Sequence, residues 1–212
     1  MKIFKIEPHH IDHSLIRTAA DILRAGGLVI FPTDTLYGLA ANIYNDVALK
    51  RVFEVKKRPL NKPLPVLISD PGELSSLAQQ IPPLAKTLMD FFWPGSLTLV
   101  FKKTAKVSAI LTGGKGTVAV RVPDHPVTLA LIREASFPVT GPSANISGME
   151  PPVTAEEAAR NLGEKVDLVI DAGPCPIRTP STILDLTGSK PQILREGAIP
   201  RQILETYVEA DL

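Results

Sequence analysis

Cysteine is nearly absent from this chain, with Cys175 standing alone among 212 residues. A single thiol cannot form an intrachain disulfide or a thiolate metal cage. The histidines add little, because His9, His10 and His13 crowd the N-terminus and His125 stands apart. Aromatics make up only 5%, so the 44% hydrophobic content must build its core from aliphatic side chains. Net charge is lacking too: 23 Lys and Arg oppose 22 Asp and Glu. That balance argues against a protein that coats nucleic acid through bulk charge. No stretch approaches the ~20 apolar residues of a membrane helix. The opening Met1-Lys-Ile-Phe-Lys-Ile-Glu7 has no long apolar core and no small-residue cleavage site, unlike a signal peptide. These absences point to a soluble, cytoplasmic protein, and the length suggests one domain over residues 1–212.

What is present alternates between helical and extended segments. Ser14–Ala25 reads as a helix stopped by Gly26-Gly27, and Leu28–Phe31 as a buried strand ending at Pro32. Asp46 can cap a helix through Val47 and Val55 that must end before Pro59. Leu64–Ile68 reads as a strand, followed by short helices near Leu74–Gln79 and Leu84–Phe92. Strands are expected at Ser96–Phe101 and Thr117–Val122, a helix at Leu129–Glu134 and an extended run at Pro138–Thr140. A Thr154-capped helix spans Ala155–Asn161, and Leu168–Asp171, Thr182–Leu186 and Gln192–Leu194 are closing strands before a helix after Pro200. The interleaving is too irregular for a strict βαβ series. An α/β (α+β) fold with a mixed, twisted sheet and helices packed on it is the expectation.

Sites in such sheets gather at strand ends, which singles out three loops. Pro32-Thr-Asp-Thr-Leu-Tyr-Gly-Leu39 sets Thr33, Asp34, Thr35 and Tyr37 directly after a core strand. A turn accounts for Pro32 and Gly38 but not for so many hydroxyls. Lys56-Lys-Arg-Pro-Leu-Asn-Lys-Pro-Leu64 is cationic and stiffened by Pro59 and Pro63. Basic residues at a helix end also complement its dipole, yet this run continues to Lys62. A rigid loop of this kind can hold polyphosphate, with Arg as a two-pronged fork and Lys as a mobile point charge. Gly141-Pro-Ser-Ala-Asn-Ile-Ser-Gly148 offers close backbone approach and the polar groups of Ser143, Asn145 and Ser147, as a plain turn also would.

Other segments carry less. Thr112-Gly-Gly-Lys-Gly116 fails the phosphate-loop pattern, because Ala109 takes the first glycine position and Gly116 replaces the Ser or Thr after the lysine. Cys175 lies between two prolines with no histidine nearby in sequence, so a thiol nucleophile is not expected. His125 reads as a turn or helix-start residue. Taken together, the three loops suggest a site for an anionic, phosphate-bearing small molecule, without naming a reaction.

Five segments in order then resemble the YrdC family: Pro32–Leu39, Lys56-Lys-Arg-Pro59, Ser143-Ala-Asn-Ile-Ser-Gly148, Pro180-Ser-Thr-Ile183 and Ile193-Leu-Arg-Glu-Gly197. The resemblance covers roughly Ala19 to Ile199 and implies a single YrdC-like domain: a mixed, strongly twisted sheet flanked by helices around a concave basic groove. It implies a nucleotidyltransferase, an L-threonylcarbamoyladenylate synthase. L-threonine and bicarbonate would give a carbamate that attacks the α-phosphate of ATP and releases pyrophosphate. A separate tRNA threonylcarbamoyl-transferase complex would receive the product. By position, Thr35, Tyr37, Arg121 and Ser181 fall on the threonine side. Lys56, Arg58, Ser143 and Asn145 match the signature quartet, and Lys62, Thr117 and Arg195 match further ATP contacts. Mg²⁺ would come with ATP. Many relatives carry histidine in the threonine pocket where this chain has Leu67, which leaves open whether Leu67 is plain core or marks a differently built pocket.

Two rivals remain at this level. One is a module binding double-stranded RNA or tRNA through the Lys50–Lys62 cations, although no RNA-binding consensus or aromatic stacking set is present. The other is a divergent relative with a different nucleotide-dependent carbamoyl-transfer or hydrolytic role.

Overall fold

A computed structural model describes residues 2–210. In chain order they form β1 (Lys2–Lys5), α1 (His13–Arg24), β2 (Val29–Phe31), β3 (Gly38–Ala40), α2 (Asp46–Lys56) and β4 (Val66–Leu67). Next come α3 (Leu74–Leu77), α4 (Pro83–Phe92), β5 (Leu97–Lys102), β6 (Thr117–Arg121), α5 (Pro126–Ala135) and β7 (Val139–Thr140). The chain closes with α6 (Ala155–Leu162), β8 (Leu168–Asp171), β9 (Thr182–Asp185), β10 (Gln192–Arg195) and α7 (Arg201–Ala210).

Local chemistry sets the helix ends. Asp12 caps α1 by accepting from the Ser14 and Leu15 amides, and Ile16, Ala19, Ala20 and Leu23 form its buried stripe. In α2 the cap is Asn45 rather than the expected Asp46: Asn45 Oδ1 accepts from Val47 N at 3.0 Å and Ala48 N at 3.1 Å. Asp46 sits in the first turn, where its charge suits the helix dipole, and accepts from Ser108 Oγ at 2.6 Å. Lys57 closes the helix in the left-handed region, at φ 49°. Thr154 and Glu157 form a reciprocal capping box on α6.

The strands form two mixed sheets rather than one, in the orders β1-β8-β2-β3 and β10-β9-β5-β6-β4-β7. Two strands were not foreseen. β1 runs parallel to β8, with Lys2 opposite Leu168, and β3 folds back antiparallel on β2, with Phe31 opposite Gly38. Position 38 has no room for a side chain, since a Cβ there would lie 2.7 Å from the Phe31 ring. The two sheets meet where 38–42 runs beside 139–143: Thr140 N donates to Ala41 O at 3.0 Å, and bridges link Gly38 to Ser143 and Asn42 to Val139. Loops from distant parts of the sequence are thereby laid edge to edge.

One largely aliphatic core joins the six-stranded sheet, α2 and α4 to α6 and one face of the four-stranded sheet, with Ile30, Leu39 and Val169 among its members. A second packs α1 and α5 against the four-stranded sheet and includes Leu67. Each fully buried Leu, Ile, Val or Phe contributes about 1.5–3 kcal/mol of transfer energy, which gives the site a stiff floor. No helix among the described residues is long and apolar enough to cross a membrane.

Candidate functional site

The floor of the site is one face of the six-stranded sheet. Side chains alternate along a strand, so Thr117, Ala119 and Arg121 of β6 face the same way, as do Thr98 and Val100 of β5 and Ile183 and Asp185 of β9. Register sets them side by side. Val100 lies opposite Ala119 and Asp185, Ile183 opposite Thr98 and Arg195, and Leu67 beside Arg121. Loop residues 33–38, 63–65 and 141–143, with Arg58 and Pro151, wall in a cavity of about 520 Å³. The charged side chains lining it are Arg58, Lys115, Arg121, Arg195 and one carboxylate, Asp185.

Arg121 lies deepest and is only 5% exposed. Its Nε donates to Gly95 O at 2.7 Å, Nη1 to Thr35 Oγ1 at 2.9 Å, and Nη2 pairs with Asp34 Oδ1. A guanidinium has five N–H donors, so one remains on each Nη, enough for a two-point hold on a carboxylate. Burial raises the Asp34 pKa while Arg121 opposes the rise, and Asp34 Oδ2 is buried without a partner. Thr33 Oγ1 donates to Leu36 O at 2.6 Å and accepts from the Thr35 and Leu36 amides, both at 3.1 Å, so its proton is not given to Thr35 Oγ1, 3.0 Å away. Having accepted from Arg121, the Thr35 oxygen keeps one lone pair for a ligand N–H or O–H.

Ser181 and Arg195 form a second cluster. Ser181 Oγ shares a 2.8 Å hydrogen bond with Thr98 Oγ1, and Arg195 donates to Ser181 O from Nε at 3.1 Å and Nη2 at 2.8 Å. Arg58 braces its own loop, donating from Nε to Lys62 O at 3.1 Å and from Nη2 to Pro63 O at 2.8 Å.

Of the residues singled out by sequence, Thr35, Tyr37, Arg58, Thr117, Arg121, Ser143, Ser181 and Arg195 line this cavity together. Tyr37 does so without its hydroxyl, which donates to Gly173 O at 2.6 Å on the far side. Burial raises that phenol's pKa. Lys56, Lys62 and Asn145 are not in the lining. Lys56 is 2% exposed, and its ammonium donates to Ser143 O and, at 2.7 Å, to Asn145 O. Burial first, then the charge of Arg58, lowers its pKa to about 7. Asn145 Nδ2 donates to Ile146 O at 3.0 Å and Met149 O at 2.6 Å, while Oδ1 accepts from Ser143 Oγ at 2.5 Å. Both residues therefore shape the 143–149 loop from behind. Lys62 is exposed on the 58–63 loop and contributes its carbonyl to Arg58. Leu67 is 3% exposed, belongs to the second core and also lines the cavity.

Sequence reasoning passed over Asp34 as a partner of Arg121, and Thr98, Lys115 and Asp185 as lining. Period-two alternation from Arg121 through Thr117 would have flagged Lys115. Elsewhere, burial pushes the Cys175 thiol up to about 11, leaving it protonated at neutral pH, and lowers His125, at the start of α5, to about 4.

The chain is similar to known proteins in both sequence and fold. The Sua5/YciO/YrdC family model, described as telomere recombination, matches residues 21–197. Threonylcarbamoyl-AMP synthase of Pyrococcus abyssi is 43% identical over 198 residues, covering 93% of this chain and 58% of that protein. A putative threonylcarbamoyl-AMP synthase of Methanocaldococcus jannaschii is 40% identical over 205 residues, covering 96% of this chain and 95% of that protein. The crystal structure of P. abyssi Sua5 complexed with L-threonine matches with a TM-score of 0.96 at 42% identity, over 98% of this chain and 61% of that one. The chain thus spans less than two thirds of the length of the Pyrococcus proteins.

Proposed function

This chain belongs to the Sua5/YciO/YrdC family, and from that premise we propose that it is a cytoplasmic nucleotidyltransferase making threonylcarbamoyl-AMP from L-threonine, bicarbonate and ATP. Its product would pass to a transferase complex that modifies adenosine in tRNA. The observation that carries this reading is a single cavity lined by the buried Thr35, Arg121 and Ser181 and by the more exposed Arg58, Thr117, Ser143 and Arg195. Polar groups for an amino acid and cations for a polyphosphate share one cavity.

The residues act by positioning and charge neutralisation, which is what an in-line displacement at phosphorus requires. The two free N–H groups of Arg121 hold the threonine carboxylate, and the Thr35 lone pair accepts from the substrate. Threonine's nitrogen takes up bicarbonate carbon with loss of water, giving the carbamate. A carbamate oxygen then bonds to the α-phosphorus as the bond to the β-phosphate oxygen breaks and pyrophosphate departs. Arg58 and Arg195 face the charge on the phosphates, while Ser143, whose hydroxyl proton goes to Asn145 Oδ1, is held in the wall by Lys56 and Asn145.

Among the described residues no three His, Cys, Asp or Glu side chains gather as a metal cage. Asp185 is the one carboxylate in the lining. That donor set fits Mg²⁺ arriving on ATP, with Asp185, whose Oδ1 already accepts from Thr187 N and Oγ1, as the carboxylate that would contribute a ligand. Bound in that way, the ion would neutralise phosphate charge.

Calorimetric titration with threonine, with and without ATP, tests the substrate assignment. Threonine should bind, and more tightly when ATP is present. Absence of heat in both titrations, beside normal ATP binding, removes threonine and keeps the nucleotide site.

A further inference from the structure

The Thr112–Gly116 segment fails as a phosphate loop, yet the fold gives its lysine a place. Thr117, Ala119 and Arg121 line the cavity from one face of β6, and Lys115, two residues before the strand, also lines it. From Arg121 to Thr117 the strand rises roughly 13 Å, and Lys115 lies further out. Arg121 is buried at the inner end, while Lys115 is exposed at the mouth. An amino acid held by Arg121 is too short to reach it.

The lysine's loop also runs beside the Arg58 loop. Leu64 N donates to Leu111 O at 2.8 Å, and a Cβ on Gly113 would lie 2.8 Å from the Asn61 backbone. Gly113 and Gly114 turn at φ 60° and 78°, a conformation glycine adopts without strain. The cavity mouth therefore has Arg58 and Lys115 on neighbouring loops. They differ in commitment. Arg58 spends donors on two carbonyls, whereas Lys115 forms no salt bridge among the described residues.

We propose that Lys115 is a nucleotide-binding residue that holds the β- and γ-phosphates of ATP, the part that leaves as pyrophosphate. This rests on the cavity being the ATP site. A flexible ammonium is a mobile point charge, suited to a group that must bind and then depart. A carbamate on an amino acid held by Arg121 would keep the reacting α-phosphate on the Arg121 side, away from the lysine.

Calorimetry on the full chain with ATP, pyrophosphate and AMP tests this in Lys115→Ala and Lys115→Glu, with Lys106→Glu as a control. Lys106 is exposed on the same connection but does not line the cavity. Lys115→Ala should weaken ATP and pyrophosphate about 5-fold or more, as for a charge-assisted contact that is partly solvated. Lys115→Glu should lose more, and AMP affinity should stay unchanged in both. The proposal is overturned by unchanged ATP and pyrophosphate affinity in both variants, by an equal loss for AMP, or by an equal loss in Lys106→Glu. Wild-type protein that binds no ATP would instead refute the nucleotide reading itself, and this proposal with it.

Discussion

Replacing Lys56 with Met should change how stability depends on pH more distinctly than it changes stability itself. The Lys56 ammonium is buried against two carbonyls, and its pKa falls from 10.5 to about 7 through burial and the nearby Arg58 charge. At 1.36 kcal/mol per pH unit, keeping it charged in the folded state costs on the order of 5 kcal/mol relative to the unfolded chain. The unfolded lysine holds its proton until near pH 10.5, while the folded one releases it near pH 7. Between those values unfolding takes up a proton, so stability rises with pH; below pH 7 both states are protonated and the cost is borne in full. Wild type should therefore gain about 1.5 kcal/mol between pH 7 and 8.5 that Lys56→Met does not. Cys175 and Tyr37, whose pKa values are raised, act in the opposite sense at higher pH but are common to both proteins and cancel in the difference. Methionine has a similar volume but leaves the Ser143 and Asn145 carbonyls unpaired, at about 1–3 kcal/mol each, so the absolute change is not diagnostic. Urea midpoints measured at several pH values supply the slopes. Parallel slopes in the two proteins would refute a buried lysine that titrates near neutrality.

Arg58→Ala should weaken ATP binding or lower turnover roughly tenfold or more, because charged hydrogen bonds contribute ~1.5–3 kcal/mol; titration with ATP, beside a circular dichroism melt, checks it. Arg58→Lys should also be impaired, since an ammonium cannot brace the Lys62 and Pro63 carbonyls and still present a planar fork. Valine and 2-aminobutyrate should support far less pyrophosphate release than threonine, because a pocket that pairs a substrate hydroxyl disfavours analogues lacking it. Equal rates would show that the hydroxyl is not read.

The helices and longer strands were legible because their apolar periodicity is local. β1 and β3 were not. Lys2–Lys5 gains meaning only beside β8, more than 160 residues away, and Gly38–Ala40 is three residues inside a segment dominated by turn signals. The cap of α2 was misplaced by one residue because Asn45 and Asp46 both have capping side chains. At the site, motif position found residues that share the cavity but not the direction of each side chain: Tyr37 sends its hydroxyl toward Gly173, and Lys56 turns inward. Asp34 stood among the polar residues of its loop, but its pairing with Arg121 was not legible because the two lie 87 residues apart. Leu67 is core, as one of its readings had it, and it also reaches the cavity. It is core by burial and cavity wall by position, since its strand register sets it beside Arg121.

Pyrophosphate release from ATP, measured with threonine and bicarbonate both present and with each omitted in turn, tests the proposed activity most directly. The account predicts release only when all three substrates are supplied, because the attacking oxygen belongs to a carbamate that neither threonine nor bicarbonate makes alone. Release that continues unchanged without threonine or without bicarbonate would contradict it.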